Sequence, residues 1–480
     1  MKRLAAIVLA TLSMCFYVDA KVVMPSVFGS NMVLQRNSSV ALWGTAKPDS
    51  KVTVQTSWNG KKVSVTSDKD GKWFARVETP EAGGPYKVTV SDGEKLVFDN
   101  VLIGEVWFCS GQSNMEMPVK GFKGQPVEGG VDAILDADPS TPIRMCNVRR
   151  SLSSVPKDDC EAFWYEHTQD AVANTSATAY FFARDLHRAL DIPIGIIVSA
   201  WGGTLIEPWM SREVFESEYK DYDLSFLDGE KLPEKSQYKP CTLFNAMVNP
   251  LIPYTIKGWI WYQGESNRNT YESYAKLQTS YAAMMRKYWD NPKMPFYFVQ
   301  IAPYCFQGKA EGETAAMLME AQAKSLETIP YSGMATTADI GEPWCIHPAK
   351  KQEVGRRLAM MALKKDYGMA LEGAFAPMYD RMEIKKDGKI VLYFKNNDSG
   401  IGPVNETHSC FEVAGEDQVF YPATGRVMRG YATIEVTCPA EVPNPVAVRY
   451  AFHNYAPGVL KNGSGVAMVP FRTDDWPEKK

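Results

Sequence analysis

The sequence predicts an α/β fold in which helices cover both faces of a parallel sheet, with a β-rich domain at each end. Between residues 101 and 372, strand-like apolar runs alternate with stretches of helical periodicity. That alternation is typical of parallel sheets. Residues 21–100 and 373–480 instead carry short alternating runs separated by Gly, Asn and Asp turns. Such runs favour antiparallel β domains.

Composition narrows the class of protein. The 480 residues are 45% hydrophobic and 22% charged, with a formal net charge of -4. These values indicate a globular chain of several domains, and the charge argues against nucleic acid as a partner. Nothing in the sequence decides the oligomeric state.

The first 20 residues, "MKRLAAIVLATLSMCFYVDA", have the charged start, apolar stretch and small-residue end of a cleaved export signal. The apolar stretch is too short for a comfortable membrane span, and no later run of 18 apolar residues follows. We therefore expect an exported protein without a membrane span. It would be periplasmic or extracellular, or lysosomal in a eukaryote.

Eight cysteines follow the predicted signal, and none shows the CxxC spacing of a metal site. An exported chain permits disulfides. Two pairings are open, Cys146 with Cys160 and Cys410 with Cys438.

Within the central region, the predicted elements alternate along the chain. The strands are predicted at "GEVWFC", "IGIIVSAW", "IKGWIWYQ", "PFYFVQIA" and "GMATTAD". The helices are predicted near 172–190, 240–250, 270–289, 313–328 and 348–367.

Four of these strands end in polar or glycine-rich stretches. In open parallel sheets, ligands bind at the carboxyl ends of the strands, so these stretches are predicted to form one site. They are "GQSNMEM" (111–117), "SAWGGTLIEPWM" (199–210), "WYQGESN" (261–267) and the stretch that begins "DIGEPWCIHPAKK" at residue 339.

Ser113 and His347 are the candidate nucleophile and base. A serine hydroxyl is a poor nucleophile unless a base lies in hydrogen-bond reach, and His347 is the histidine that stands at a strand end. The alternatives are structural, because serine favours helix N-caps and His347 fits a helix start. The catalytic interpretation of Ser113 is favoured because polar or glycine-rich stretches follow four of the predicted strands, and not one alone.

The other two stretches can supply an oxyanion hole. A glycine lets a backbone N–H approach a ligand closely, so Gly202 or Gly203 is a candidate donor. Gln263 or Asn267 can add a side-chain N–H. Ordinary turn roles for these glycines and amides stay open.

The four stretches, in this order, resemble the sialate O-acetylesterases, a branch of the SGNH hydrolase superfamily. The flanking "PSVFGSNMVLQR", "VALWGTAKP" and "GSGVAMVPFRTD" also resemble that family, so the resemblance covers nearly the whole chain after residue 20. It implies an SGNH/flavodoxin-like three-layer α/β/α catalytic domain with a parallel sheet, flanked by N- and C-terminal β-rich domains. The implied divisions are 1–20, 21–100, 101–372 and 373–480.

By this resemblance Ser113 is the nucleophile and His347 the base. The oxyanion hole would use the N–H of Ser113, Gly202 or Gly203, and the amide of Gln263 or Asn267. No metal or organic cofactor is implied. Substrate contacts are expected from Gln112, Asn114, Glu265 and Trp344.

The sequence departs from the family at the third member of the triad. Many SGNH enzymes carry an acid three residues before the histidine, but Trp344 occupies that position here. Asp339 and Glu342 are the tentative acids, with Asp339 preferred because it directly follows a strand.

The implied activity is removal of O-acetyl groups from sialic acids or a related acetylated sugar, through an acetyl-enzyme. One alternative is an esterase that acts on other acetylated glycans such as xylan. Another, from a different class, is a non-catalytic carbohydrate-binding protein.

Overall fold

The structure is a computed structural model that describes residues 21–229 and 231–477. The predicted export signal, residues 1–20, lies outside the described residues. Within those residues, no helix is both long enough and apolar enough to cross a membrane. The eight cysteines they contain are free thiols. Neither open pairing, Cys146 with Cys160 or Cys410 with Cys438, is therefore formed in this structure.

The N-terminal region is antiparallel except for its first strand, which pairs in parallel with the seventh. Burial alternates along its strands, so one face of each strand packs on a core. The second strand pairs with the fifth, the third with the fourth and sixth, and the sixth with the seventh. The strands are β1 (Val33–Gln35), β2 (Ser39–Thr45), β3 (Lys51–Thr56), β4 (Lys62–Thr66), β5 (Lys72–Glu78), β6 (Gly83–Ser91) and β7 (Lys95–Gly111).

Strand β7 is 17 residues long and joins two regions of the protein. Its first half pairs with β6. Its second half pairs in parallel with the strands that contain residues 194–200 and 258–262. One continuous strand therefore crosses the boundary predicted at residue 100, and its carboxyl end carries the "GQSN" stretch. The domain boundaries themselves stay a prediction.

The central region alternates helix and strand. Its helices are α1 (Ser113–Glu116), α2 (Gly130–Leu135), α3 (Gln169–Asn174), α4 (Ala177–Leu190), α5 (Arg212–Glu218), α6 (Tyr271–Tyr288), α7 (Thr314–Thr328) and α8 (Lys351–Lys365). Its further strands are β8 (Ile143–Val148), β9 (Ala162–Tyr165), β10 (Ile194–Ala200), β11 (Gly258–Tyr262), β12 (Phe296–Val299) and β13 (Ser332–Ala335). The segment predicted as a helix at 240–250 contains a π-helix (Phe244–Val248) and a 3-10 turn (Asn249–Leu251).

The central strands lie in the order β13-β12-β11-β7-β10-β8-β9. Every neighbouring pair in this order is parallel except β8 with β9. All five predicted strands are present. Sequence analysis missed β8 and β9.

Helices cover both faces of this sheet. Along β11, the buried side chains of Trp259 and Trp261 enter the core that includes Tyr281 and Leu318 from α6 and α7. The alternate side chains, Ile260 and Tyr262, enter the core that includes residues of α4 and α8. This confirms the predicted three-layer α/β/α architecture with a parallel sheet.

The C-terminal region is a second, antiparallel sheet in the order β14-β15-β19-β18-β17-β20-β22. Ion pairs dock it on the central domain, including Arg449 with Glu313 (2.6 Å) and Arg472 with Glu320 (3.0 Å). Its strands and two short additions are β14 (Met378–Ile384), β15 (Ile390–Lys395), β16 (Ile401–Gly402), β17 (His408–Ala414), β18 (Phe420–Val427), β19 (Thr433–Thr437), β20 (Ala447–Tyr450), β21 (Lys461–Asn462) and β22 (Phe471–Arg472).

Candidate active site

Ser113 lies on a tight turn where β7 ends and α1 begins. Gly111 has φ 145°, and a Cβ there would collide with the carbonyl oxygen of Tyr262 in β11. The next N–H, of Gln112, donates to that same oxygen at 2.9 Å. Glycine at position 111 therefore lets the two strand ends approach closely, and the chain leaves the sheet with Ser113 half-exposed.

Gly202 lies beside Ser113. A Cβ on Gly202 would stand 3.2 Å from the Cβ of Ser113 and 3.0 Å from Oε2 of Glu116. The N–H of Gly202 donates to Oε2 of Glu116 at 2.9 Å. The predicted oxyanion donor is thus next to the serine, but a carboxylate from α1 occupies it in this structure. Gly203 follows with φ 76°, and its carbonyl accepts from Ser266 Oγ at 2.9 Å.

The amides of Gln263 and Asn267 point into the protein. Gln263 Nε2 donates to the carbonyl of Thr204 (3.1 Å) and to Oδ1 of Asn267 (2.7 Å). Asn267 Nδ2 donates to Oε2 of Glu207 at 3.1 Å. Both amide residues are fully buried. In this arrangement they fasten the loop after β10 to the loop after β11, and none of these hydrogen bonds reaches Ser113.

Asn114 and Glu265 belong to a buried polar clamp that also contains Lys351. The Nδ2 of Asn114 donates to Oε1 of Glu265 (2.6 Å) and to the carbonyl of Ile346 (3.0 Å). The Nζ of Lys351 donates to Oδ1 of Asn114 (2.8 Å) and to the carbonyl of Pro348 (2.7 Å). The carbonyls on both sides of His347 are therefore held by this clamp, which we call the Asn114 clamp.

Burial shifts both ionisable members of the clamp toward their neutral forms. It lowers the pKa of Lys351 to about 7, although Glu265 opposes this shift. It also raises the pKa of Glu265, against the hydrogen bonds and the charge of Lys351. Because these side chains are 0% and 3% exposed, they support the site from within the protein. The expectation that Asn114 and Glu265 contact substrate does not fit this geometry.

The imidazole of His347 is half-buried, and its Nδ1 lies 2.6 Å from Oε1 of Gln125. The ring of Phe122 meets it edge-on, with centroids 5.3 Å apart. Burial and then the nearby charge of Lys351 lower the pKa of His347 to about 4. A neutral imidazole at ordinary pH can accept a proton, as a general base must.

Neither tentative acid contacts this imidazole among the hydrogen bonds and ion pairs of the described residues. Both oxygens of Asp339 are bound by Arg357, at 2.7 and 2.8 Å, and Lys461 adds a contact at 2.8 Å. Burial would raise the pKa of Asp339, but Arg357 and then Lys461 outweigh it and lower that pKa. Glu342 accepts from the N–H of Ala349 at 2.8 Å. The preferred acid, Asp339, is therefore a structural anchor for α8 and β21. Glu342 shapes the loop between β13 and α8 that carries His347, which we call the histidine loop.

Two further residues expected at the substrate differ in exposure. The side chain of Gln112 is 2% exposed, and its Oε1 accepts from the N–H of Gly264 at 3.2 Å. Trp344 is 76% exposed, so it is free to stack on a sugar. Trp209, in the loop after β10, is by contrast fully buried.

Sequence analysis missed Arg150, which reaches the serine turn through Glu116. Its Nε donates to Oε1 of Glu116 at 2.6 Å, and its guanidinium lies 5.4 Å from the ring of Trp201. Arg150 also lines a cavity of about 620 Å³ together with Arg149 and Lys157. The signal was the basic pair directly after β8, a strand that the sequence analysis did not place.

These contacts bring a half-exposed serine, a neutral histidine and a backbone N–H to one edge of the sheet. That set suits acyl transfer, in which a serine attacks a carbonyl and a base receives its proton. Among the side chains of residues 21–229 and 231–477, no group of three or more His, Cys, Asp and Glu is arranged to hold a metal ion.

Comparison with known proteins agrees with this chemistry. A family model described as "Carbohydrate esterase, sialic acid-specific acetylesterase" matches residues 103–364, more than half of the chain. The human sialate O-acetylesterase is 28% identical over 398 residues, covering 75% of this chain and 74% of that protein. The rat protein is 28% identical over 394 residues, covering 70% and 72%.

A solved structure is similar over almost the whole length. The crystal structure of a carbohydrate acetylesterase from Xanthomonas citri superposes with a TM-score of 0.85 and 32% sequence identity. The match covers 95% of this chain and 100% of that chain. The likeness therefore includes both flanking β regions as well as the central sheet.

We expect the imidazole of His347 to titrate with a midpoint near pH 4, because burial and Lys351 disfavour its charged form. The measurement is an NMR titration of the histidine Cε1–H signals, with His347→Gln to assign the signal. A midpoint above pH 6 for His347 would contradict the environment described for it.

We expect Lys351→Met to lower the free energy of unfolding by about 2–4 kcal/mol, because it leaves the buried Oδ1 of Asn114 without its donor and buried Glu265 without a nearby positive charge. Urea unfolding measures this cost. The exposed neighbour supplies the control, and Lys350→Met should change stability by less than about 0.5 kcal/mol. The double variant Lys351→Met/Glu265→Gln should cost less than the sum of its single changes, and strict additivity would show that the clamp does not act as a unit.

Proposed function

The chain belongs to the sialic acid-specific acetylesterase family of carbohydrate esterases, and we propose that it removes O-acetyl groups from sialic acids by Ser–His hydrolysis through an acetyl-enzyme. One observation carries the proposal. Ser113 is half-exposed beside Gly202, and its neighbour Asn114 is bonded to the loop of His347. Nucleophile, oxyanion donor and base are thus fixed relative to one another.

In the proposed reaction, Ser113 Oγ attacks the acetyl carbonyl carbon while Nε2 of His347 takes the hydroxyl proton. The tetrahedral intermediate collapses when the C–O bond to the sugar breaks, and His347 returns the proton to the departing sugar oxygen. Water then attacks the acetyl-enzyme with His347 again as base, which releases acetate and restores Ser113.

The oxyanion would be held by the N–H groups of Ser113 and Gly202. Since Gly202 donates to Glu116 in this structure, Glu116 has to turn away when the carbonyl enters. Arg150 already binds the other oxygen of Glu116, so it can retain the displaced carboxylate. Removing one such donor costs about 3 kcal/mol of transition-state stabilisation in comparable sites.

A cationic side chain near the serine turn supports an anionic sugar as substrate. The side chain of Arg150 is 49% exposed, and part of its guanidinium is not engaged by Glu116. Sialic acids carry a carboxylate, and arginine binds carboxylates with directed hydrogen bonds. An acetylated xylan has no such group and remains the alternative substrate.

The non-catalytic alternative, a carbohydrate-binding protein, explains less of the site. A sugar-binding surface needs neither a half-buried neutral imidazole nor a serine placed beside a glycine at the same edge of the sheet. Export to a periplasm, the cell exterior or a lysosome remains part of the proposal, and it rests on the first 20 residues of the sequence alone.

We expect Ser113→Ala to lower acetate release roughly 10⁴-fold or more, because no other group replaces the nucleophile. The measurement is acetate release from acetylated sialic acid and from acetylated xylo-oligosaccharides. Matching circular dichroism spectra of the unaltered protein and the variant show that both are folded. Release from sialic acid that the change abolishes supports the proposal. Release from xylan fragments alone keeps Ser113 but replaces the substrate, and full activity in the variant would refute the mechanism.

We expect Arg150→Met to lower kcat/KM for acetylated sialic acid about 10- to 100-fold relative to an uncharged acetylated sugar, the cost of one charge-assisted hydrogen bond. The ratio is the informative quantity, since freeing Glu116 affects both substrates alike. Arg149→Met is the matched control, because Arg149 is exposed and paired with Glu161. Equal losses on both substrates would remove Arg150 from substrate recognition.

A further inference from the structure

The loop between α1 and α2 forms one wall around the imidazole of His347. Gly121 and Gly124 have φ of 78° and 74°, which glycine adopts readily. The loop closes on itself where the N–H of Gln125 donates to the carbonyl of Phe122 at 2.9 Å. It thereby presents the Phe122 ring and the Gln125 amide to the histidine together.

The loop is also fastened to the chain that follows the histidine. The N–H of Glu128 donates to the carbonyl of Ala349 at 2.9 Å. Ala349 in turn donates to Glu342 at 2.8 Å. The separation of the Gln125 amide from the imidazole is therefore set by backbone contacts on both sides.

The contact between Gln125 and His347 fixes which ring nitrogen carries the proton. An amide oxygen only accepts hydrogen bonds. With Oε1 of Gln125 2.6 Å from Nδ1, the proton must lie on Nδ1. Nε2 then has a free lone pair, which is the form that a base for the serine requires.

We propose that Gln125 is the positioning residue that replaces the missing acid of the triad: its amide oxygen accepts from Nδ1–H of His347 and holds the ring with Nε2 available to Ser113. This inference rests on the proposed function, since it assigns a partner to the base of that reaction. Asp339 is bound by Arg357, and Glu342 is bound to Ala349. Gln125 is the side chain whose oxygen lies at hydrogen-bond distance from Nδ1.

A neutral partner alters the chemistry in a defined way. A carboxylate would fix the tautomer and also stabilise the imidazolium, whereas an amide fixes the tautomer with much less stabilisation of charge. The charged group that acts on the ring is Lys351 from α8. Glu342 and Cys345 lie in the same loop as the histidine, where they contact the N–H of Ala349 and the carbonyl of His347. His347 should therefore stay neutral and active at acidic pH, but it is a weaker base than a histidine paired with a carboxylate.

The test compares Gln125→Met, which keeps the side-chain length but removes the acceptor, with Gln125→Glu, which supplies the carboxylate. We expect Gln125→Met to lower kcat about 10- to 100-fold, with KM within about 3-fold, because only orientation of the base is lost. We expect Gln125→Glu to retain activity and to move the acidic limb of kcat/KM upward by about 1 pH unit or more. The control is Lys120→Met in the same loop, since Lys120 is exposed and bonded to Asn174.

A second readout does not depend on turnover. Long-range ¹H–¹⁵N NMR of the full chain reports the tautomer of each histidine, and His347 should carry its proton on Nδ1 in the unaltered protein and lose this preference in Gln125→Met. If the unaltered protein releases no acetate, the proposed function fails, while the tautomer still decides the role of Gln125. A Gln125→Met protein with unchanged tautomer, kcat and pH profile would overturn the inference.

Discussion

The amide of Asn114 is the interaction on which the rest of the site depends. Its oxygen accepts a hydrogen bond from Lys351, and its nitrogen donates to Glu265 and to the carbonyl of Ile346. These partners come from two separate segments, the loop after β11 and the stretch that leads through His347 into α8, which the fold brings to one end of the sheet. Because the amide is fully buried, water cannot replace any of these bonds. The residue after Ser113 thus determines where the histidine loop lies.

The Asn114 clamp places two ionisable side chains, Lys351 and Glu265, inside the protein. Burial disfavours ionised Lys351 and Glu265, so apolar residues of similar volume would cost less desolvation. The polar side chains instead fix the positions of the segments that they join, since an amide with two donors and one acceptor accepts a single arrangement of its neighbours. The lysine also affects the chemistry, because its charge helps to keep the nearby histidine neutral. One buried group therefore positions the base and adjusts its protonation.

Sequence reasoning recovered the parts of the molecule that depend on local pattern. The central strands were predicted from apolar runs, and Ser113 and His347 were located because strand ends in a parallel sheet converge. The acid partner was not recoverable in this way. Asp339 follows a strand as expected, yet Arg357 takes both of its oxygens, a pairing that only the packing of α8 against the sheet reveals. Gln125 lies 222 positions from His347 in the sequence, and no spacing rule connects them.

The proposed oxyanion donors also show what sequence reasoning cannot recover, because here residue type and position in the sheet were both as expected. Gln263 and Asn267 have the residue type that an oxyanion hole uses, and their loop has the expected place in the sheet. Their hydrogen bonds to Thr204 and Glu207 nevertheless turn them inward, where they hold the two loops beside Gly202. The N–H of that glycine is then the donor left beside the serine, and it is occupied by Glu116. In the proposed reaction, the oxyanion would form where the Glu116 carboxylate now binds Gly202. Entry of the acetyl group would then exchange one oxygen for another at this N–H, and Arg150, which binds the other oxygen of Glu116, would keep the displaced charge compensated.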